Sequence, residues 1–276
     1  METCYRHSNR ETGVSCSSCG RPICPDCMTT TPVGMRCPEC ANQKTQVRTI
    51  ASIGGGDPML TYVLIGINVL MFFASRGGNA GYFDLVLAGQ PVAEGELWRL
   101  VTGGFLHAQG NFGFIHVGFN MYLLYVLGGM LEPSLGKLRF GAIYFTSLLT
   151  GALGALMFSN PGDYTVGASG AVFGLMGAGV VIMRARGIDP MQSGLGPTIL
   201  INLFLPFFLP GLNISIGGHV GGLLGGLLTG WIVTELAARR RSPLIPVAVC
   251  AVIAVAAAGV AYAVATAQLE SLQAML

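Results

Sequence analysis

The chain changes character near Pro58, from a short polar part to a long apolar part. After this residue the sequence contains seven apolar stretches, at about 59–75, 113–131, 138–158, 168–183, 196–210, 214–236 and 243–267. Most of them approach the roughly 20 residues that a helix needs to cross a bilayer. Spanning segments must be helices, because lipid offers no partner to free backbone groups. The pattern predicts an all-α polytopic membrane protein with seven transmembrane helices, the fifth of them short and interrupted by Pro197, Pro206 and Pro210.

The amino-acid composition supports a membrane protein and argues against a soluble or a nucleic-acid-binding protein. Only 10% of the 276 residues are charged, whereas soluble domains usually carry about 25%. The net charge of +2 is too small to indicate a nucleic-acid partner, and no basic stretch is interleaved with aromatic residues. The first 20 residues lack the apolar core of a signal peptide, so we expect the N-terminus to remain in the reducing compartment where it is made.

The polar N-terminal part contains four metal-ligand pairs. They read Cys4-x-x-His7, Cys16-x-x-Cys19, Cys24-x-x-Cys27 and Cys37-x-x-Cys40. Eight thiolate and imidazole ligands suffice for two tetrahedral Zn²⁺ sites. The short gap between the second and third pairs favours a cross-brace, in which pairs one and three share one ion and pairs two and four the other. Sequential pairing and a disulfide cluster are the alternatives, and a reducing compartment disfavours the second of these.

The spacing of these ligands resembles that of a B-box-type zinc finger and covers residues 1–42. Glycine-rich residues 43–58 are predicted to form a flexible linker, residues 59–267 the transmembrane domain and residues 268–276 a C-terminal tail. We expect the zinc module to act as an adaptor or regulator with a cytoplasmic protein partner. A folded cap that has no partner is the alternative.

Charges in the short loops predict the orientation in the membrane. The loops after the second, fourth and sixth apolar segments are basic, whereas those at 159–166 and 211–213 contain no Lys or Arg. The basic residues are Lys137, Arg139, Arg184, Arg186, Arg239, Arg240 and Arg241. The positive-inside rule then places the N-terminus in the cytoplasm and the C-terminus outside. The apolar first loop, at about 76–112, is expected outside and partly buried in the outer leaflet.

Four polar residues lie near the start of the second, fourth and sixth segments. His116 and Asn120 share one helix face in the second segment, Ser169 begins the fourth and His219 lies early in the sixth. All three segments run from outside to inside, so these side chains should lie at one depth near the outer face. Small-residue repeats allow close approach of the fourth and sixth helices; the glycines concerned are Gly167, Gly170, Gly174, Gly177, Gly218, Gly222 and Gly226.

This combination points to nucleophilic catalysis. A serine paired with an imidazole is an activated nucleophile, and Asn120 and His116 are donors suited to a developing oxyanion. No suitable carboxylate is available for a third member, so the sequence indicates a Ser169–His219 dyad. Taken singly, each residue also has a structural interpretation, as helix packing for the serine and as interhelical hydrogen bonding for the others.

The same residues resemble the rhomboid family of intramembrane serine proteases, over about residues 59–267. The motifs occur in the order Trp98-Arg99, His116-x-x-x-Asn120, Gly128-x-x-x-Glu132-x-x-x-Gly136, Gly167-x-Ser169-Gly170 and Gly218-His219-x-x-Gly222-x-x-x-Gly226. The resemblance implies a bundle of six core helices plus one C-terminal helix, with a cavity open to the outside. It also implies hydrolysis of single-pass transmembrane proteins in the cell membrane, without a cofactor for catalysis.

The resemblance further implies a role for each residue. Ser169 would be the nucleophile and His219 the general base. Asn120, His116 and the backbone N–H of Ser169 would form the oxyanion hole. Glu132 would tie the second helix to the loop after it, and the fifth helix would be a lateral gate. Structural roles are implied for Trp98, Arg99, Gly167, Gly170 and Gly222.

Two departures from the family pattern stand out. Phe173 occupies a position where many members have tyrosine, and we expect its ring to stack on His219 without a phenol hydroxyl to assist. The first loop is expanded between His107 and His116, and His107 is expected to be structural. The alternatives to a protease are an inactive rhomboid-like scaffold that binds transmembrane helices, and a small transporter or metal sensor.

Overall fold

The computed structural model describes residues 2–31, 34–42, 56–77, 80–160, 162–208, 214–239, 242 and 244–275. The chain forms two compact units, Met1–Thr49 and Ile50–Leu276. Most of the predicted linker, at 43–55, lies outside the described residues.

The described part of the N-terminal unit contains two small hairpins, a 3₁₀ turn at Pro25–Cys27 and one α-helical turn. Strand β1 (Glu2–Thr3) pairs antiparallel with β2 (Glu11–Thr12), and β3 (Thr29–Thr31) pairs with β4 (Gly34–Arg36), followed by α1 (Pro38–Ala41). Its buried core contains six cysteines and one aliphatic residue, Ile23. Such a core is too small to stabilise 40 residues unless metal ions bind the cysteines.

The second unit is a helical bundle. Its seven long helices are α2 (Met59–Ala74), α6 (Asn111–Leu135), α7 (Lys137–Phe158), α8 (Ser169–Ala185), α9 (Leu195–Phe208), α10 (Ile216–Ala238) and α11 (Leu244–Gln273). The loop between α2 and α6 contains α3 (Ala80–Phe83), α4 (Gly89–Ala93), α5 (Arg99–Thr102) and a 3₁₀ turn at Gly103–Phe105. This arrangement confirms the predicted all-α fold class.

The seven helices differ in their capacity to span a bilayer. By length and composition, α6, α7, α10 and α11 could each cross a membrane, whereas α2, α8 and α9 are shorter apolar helices of 14 to 17 residues. Helix α9 keeps Pro206 within its last turn. Helix α11 continues six residues beyond 267, into the predicted tail, and there the Gln268 side chain donates a hydrogen bond to the carbonyl of Leu156 at 2.9 Å.

Glycines bring α7, α8 and α10 into backbone contact, as predicted for α8 and α10. A β-carbon added to Gly226 would lie 1.8 Å from the carbonyl oxygen of Gly174, and one added to Gly154 would lie 2.3 Å from that of Gly217. A larger residue at either position would therefore force two helices apart.

Glu132 has a partner different from the one predicted. Its carboxylate accepts the backbone N–H groups of Leu60 and Thr61, at 2.8 and 2.7 Å, and the Thr61 hydroxyl at 2.7 Å. The prediction that it ties α6 to the following loop is wrong. The reason is physical: the first turn of α2 offers N–H groups that have no partner within their own helix, and a buried carboxylate satisfies them and complements the helix dipole.

Candidate active site and metal centres

Ser169 begins α8 and faces a cavity of about 890 Å³. The preceding turn passes through Gly167, whose φ of +128° favours glycine. The Gly167 N–H donates to the carbonyl of Gly103 at 3.0 Å, which holds this turn against the first loop. The Ser169 hydroxyl is thus presented at a helix N-terminus, where backbone N–H groups point toward a bound anion.

His116 approaches the same point from α6. A β-carbon placed on Gly167 would lie 3.0 Å from His116 Nε2 and 3.7 Å from Ser169 Oγ, so the two side chains flank one glycine. The Ala108 N–H donates to His116 Nδ1 at 3.4 Å. In a neutral imidazole this leaves the proton on Nε2, the nitrogen that faces the site. His116 is therefore oriented as a hydrogen-bond donor beside the serine.

His219 lies in the first turn of α10 and is 6% exposed. Its ring stacks on Phe173, with centroids 4.1 Å apart and planes inclined by 17°. Among the described side chains, Ser169 and His219 do not form a direct hydrogen bond, and His219 Nδ1 is buried without a partner. In substrate-free enzymes catalytic hydrogen bonds are often long and shorten in the complex. In the substrate-free structure the stack on Phe173 fixes the plane of the His219 ring.

Asn120 is not aimed into the cavity. Its side-chain amide donates to the carbonyl of His116 at 2.9 Å, one turn earlier in α6, and the residue is 4% exposed. Of the four polar residues singled out by the sequence, His116 and Ser169 line the cavity, whereas Asn120 and His219 lie outside its lining.

Arg99 organises the first loop. It is 6% exposed, its Nη1 donates to the carbonyls of Phe83 and Val86 at 2.5 and 3.0 Å, and its Nε pairs with Glu96 at 2.5 Å. Trp98 is half exposed, and its indole N–H donates to the carbonyl of Asp84 at 3.4 Å. Both residues therefore stabilise the loop that contributes Leu87 and Leu100 to the lining of the cavity.

His107 occupies a position whose environment the sequence did not reveal. It is fully buried, 5.2 Å from His116 between ring centroids, and neither nitrogen has a partner among the described residues. Burial, together with the nearby His116, lowers the pKa of His107 to about 3. The His107 ring is therefore neutral at physiological pH, and it lies beside the His116 ring.

Leu87 makes two backbone contacts that the sequence did not indicate, one with Thr165 and one with Gly103. The backbone of Leu87 pairs antiparallel with Thr165, with hydrogen bonds of 3.2 and 2.8 Å. A β-carbon on Gly103 would lie 2.9 Å from the Leu87 backbone nitrogen. Single bridges of this kind leave no periodic pattern, so no sequence signal could have identified them.

The N-terminal unit brings its eight predicted ligands into two groups. Cys4, His7, Cys24 and Cys27 form one, and Cys16, Cys19, Cys37 and Cys40 the other, with the ligand atoms of each group within 4.8 Å of one another. This is the predicted cross-brace pairing. All eight cysteines of the chain are free thiols, in agreement with metal binding rather than a disulfide cluster.

The separations within the two groups fit a tetrahedral ion. Zn–S bonds of about 2.3 Å place two sulfur ligands of a tetrahedron about 3.8 Å apart, and the sulfurs of Cys19 and Cys37 are separated by 3.8 Å. His7 Nδ1 lies 3.3 and 3.5 Å from the sulfurs of Cys24 and Cys27. The backbone N–H of Cys37 donates to the Cys16 sulfur, and together with the N–H groups of Ser18 and Cys19 it lowers the pKa of that thiol to about 6. This favours the thiolate that a metal requires.

Comparison with known proteins agrees with the geometry. Residues 94–236 match the sequence model of the rhomboid domain. The chain is 35% identical over 184 residues to "Rhomboid protease GluP" of Bacillus subtilis, covering 63% of this chain and 35% of that protein. It is 37% identical over 133 residues to "Putative rhomboid protease YdcA" of the same organism, covering 47% of this chain and 64% of that protein.

A plant relative extends the range of organisms. The chain is 44% identical over 88 residues to "RHOMBOID-like protein 5" of Arabidopsis thaliana, covering 32% of this chain and 27% of the relative. The chain thus spans less than two thirds of the length of each of these three relatives. Since the matched domain extends over more than half of the chain and contains Ser169 and His219, this multi-pass membrane protein belongs to the rhomboid family.

Proposed function

We propose that the protein is an intramembrane serine endopeptidase that uses a Ser169–His219 dyad. The observation that carries the proposal is the convergence of Ser169 and His116 on Gly167 in the lining of a large, mostly apolar cavity. His219 lies nearby, with its ring held against Phe173 on the same helix as the serine. Membership of the rhomboid family, and the protease names of the two bacterial relatives, support the same activity.

The proposed reaction starts when Ser169 Oγ attacks the carbonyl carbon of a peptide bond and His219 accepts the hydroxyl proton. The oxyanion that forms is stabilised by His116 Nε2–H and by the Ser169 backbone N–H. The Asn120 amide joins them only when its side chain, which donates to the His116 carbonyl in this structure, turns toward the cavity. His219 then donates the proton to the leaving amine. Water, activated by the same imidazole, hydrolyses the acyl-enzyme and restores Ser169.

The proposed substrates are single-pass transmembrane proteins. The lining of the cavity includes Phe119 of α6 together with Leu205 and Phe208 of α9, and Phe208 is largely exposed. An apolar segment could therefore reach Ser169 from the bilayer between α6 and α9. With the basic loops in the cytoplasm, this opening lies toward the outer face of the membrane.

Covalent labelling combined with cleavage tests the proposal. The purified protein, reconstituted in liposomes with a single-pass reporter, should cut the reporter within or next to its transmembrane segment. A fluorophosphonate should label one residue, and peptide mass spectrometry should identify it as Ser169. Reporter binding without cleavage or labelling would favour the inactive scaffold, and a label on another serine would refute the assignment of the nucleophile.

We also propose that the N-terminal unit binds two zinc ions. Freshly purified, reduced protein should contain about two zinc per chain, because each ligand group fits one tetrahedral ion. The cross-brace pairing makes a sharper prediction. Cys4→Ser with Cys24→Ser removes two ligands of one site and should leave one zinc, whereas Cys4→Ser with Cys16→Ser damages both sites and should leave none.

Elemental analysis of these variants is the measurement. Cys250→Ser is the matched control, because Cys250 is buried in α11 and belongs to neither group, and it should retain two zinc. One zinc in Cys4→Ser with Cys16→Ser, and none in Cys4→Ser with Cys24→Ser, would show sequential pairing. Wild-type protein without zinc would overturn the proposal.

A further inference from the structure

The C-terminal helix α11 packs against the first loop, which contributes to the lining of the cavity, although the helix lies outside the matched rhomboid domain. Ala261 and Ala265, both essentially unexposed, belong to one apolar cluster that joins three parts of the fold. These parts are α11, helix α7 and the first loop. The remaining buried members of the cluster are Leu87, Val92, Leu100, Ala152, Ala155 and Leu156.

The loop residues in this cluster connect directly to the turn before Ser169. Leu87 and Leu100 line the cavity, and the Leu87 backbone pairs with Thr165. Gly103, one turn after Leu100, accepts the Gly167 N–H. A shift of the loop by α11 would therefore displace the backbone that leads into Ser169.

Small side chains make this packing possible. Alanine at 261 and 265 lets α11 approach the first loop closely, and the Gln268 side chain holds the end of the helix on α7 through the Leu156 carbonyl. A larger residue on this face has no free volume to occupy, because the cluster is buried. The neighbouring face of the same helix is exposed, and Ala263 lies on it.

We propose that α11 is a positioning element for the Ser169 site, which it holds in place through the Ala261–Ala265 face, Leu87 and the Leu87–Thr165 bridge. This inference rests on the proposed function for its kinetic consequences, but its structural consequence can be measured without proteolysis. Helix α11 would thus act on catalysis from outside the matched rhomboid domain.

The test compares Ala265→Leu with Ala263→Leu, the same substitution on the exposed face of the same helix. Ala265→Leu should lower both kcat for a transmembrane reporter and the rate of fluorophosphonate labelling about tenfold, because overpacking shifts the loop and with it the turn that leads into Ser169. Amide hydrogen exchange in peptides that contain Leu87 and Thr165 should become about tenfold faster. Ala263→Leu should match the wild type in all of these measurements.

A compensating substitution separates positioning from general damage. Val92 is fully buried in the cluster but does not line the cavity, so Val92→Ala in the Ala265→Leu background should restore exchange and labelling to within about threefold of the wild type. Failure of this rescue, or unchanged exchange in Ala265→Leu, would overturn the inference. A wild type that neither cleaves nor labels would refute the proposed function alone, since the exchange measurement still decides the role of α11.

Discussion

Ser169→Ala and His219→Ala should each lower turnover of a transmembrane reporter by at least about a thousandfold. The first variant removes the proposed nucleophile and the second removes the proposed general base. Because the two residues act as one unit, the double variant should be no slower than the slower of the two single variants. Additive losses would show that each residue contributes independently and would contradict a dyad.

The control for these variants is Ser147→Ala. Ser147 is a fully buried serine on α7, and its hydroxyl has no hydrogen-bond partner among the described residues. Its removal leaves the β-carbon in place and takes away an unpaired polar group, so turnover should stay within about threefold of the wild type. Substantial cleavage by Ser169→Ala, measured under conditions where Ser147→Ala is fully active, would exclude the proposed nucleophile.

Features that depend on local spacing could be predicted from the sequence. The four x-x-spaced ligand pairs were enough to predict both the metal groups and their interleaved pairing, because the connecting segments limit which pairs can meet. Apolar length identified the seven helices to within a few residues at most ends. The glycine repeats predicted that α8 and α10 approach closely, since only a glycine removes the β-carbon that would keep two backbones apart.

Features that depend on tertiary partners could not be predicted. The Glu132 carboxylate was expected to bind the loop next to it, but it caps α2, about 70 residues earlier in the chain. No periodicity encodes which unsatisfied N–H groups a buried carboxylate will reach. The contact between α11 and the first loop escaped prediction for the same reason, because an alanine face on an apolar helix resembles a lipid-facing surface until its partner is known.

Gly222→Ala should lower turnover by about a hundredfold or more, although it adds a single methyl group. A β-carbon at this position would lie 2.0 Å from the carbonyl oxygen of Gly170 and 2.7 Å from its carbonyl carbon. Both atoms belong to the backbone, so no side-chain rotation relieves the overlap, and α8 and α10 must separate. Gly222 is one turn after His219, and Gly170 follows Ser169 directly. The separation therefore changes the distance between nucleophile and base, and a displacement of about 1 Å can cost about a hundredfold in rate.

Substitutions at two further glycines test whether overlap with backbone atoms causes the loss of turnover in Gly222→Ala. A β-carbon at Gly225 would also meet an atom at 2.0 Å, but that atom is the hydroxyl oxygen of Thr150, a side chain. Gly225→Ala alone should therefore lower turnover, and adding Thr150→Ala should restore it. No side-chain truncation can rescue Gly222→Ala in this way. Gly129→Ala is the control, because nothing lies within 4 Å of its added carbon, and it should keep the turnover and thermal stability of the wild type. If Gly222→Ala retained full turnover, the backbone contact between α8 and α10 would not hold the two proposed catalytic residues in place.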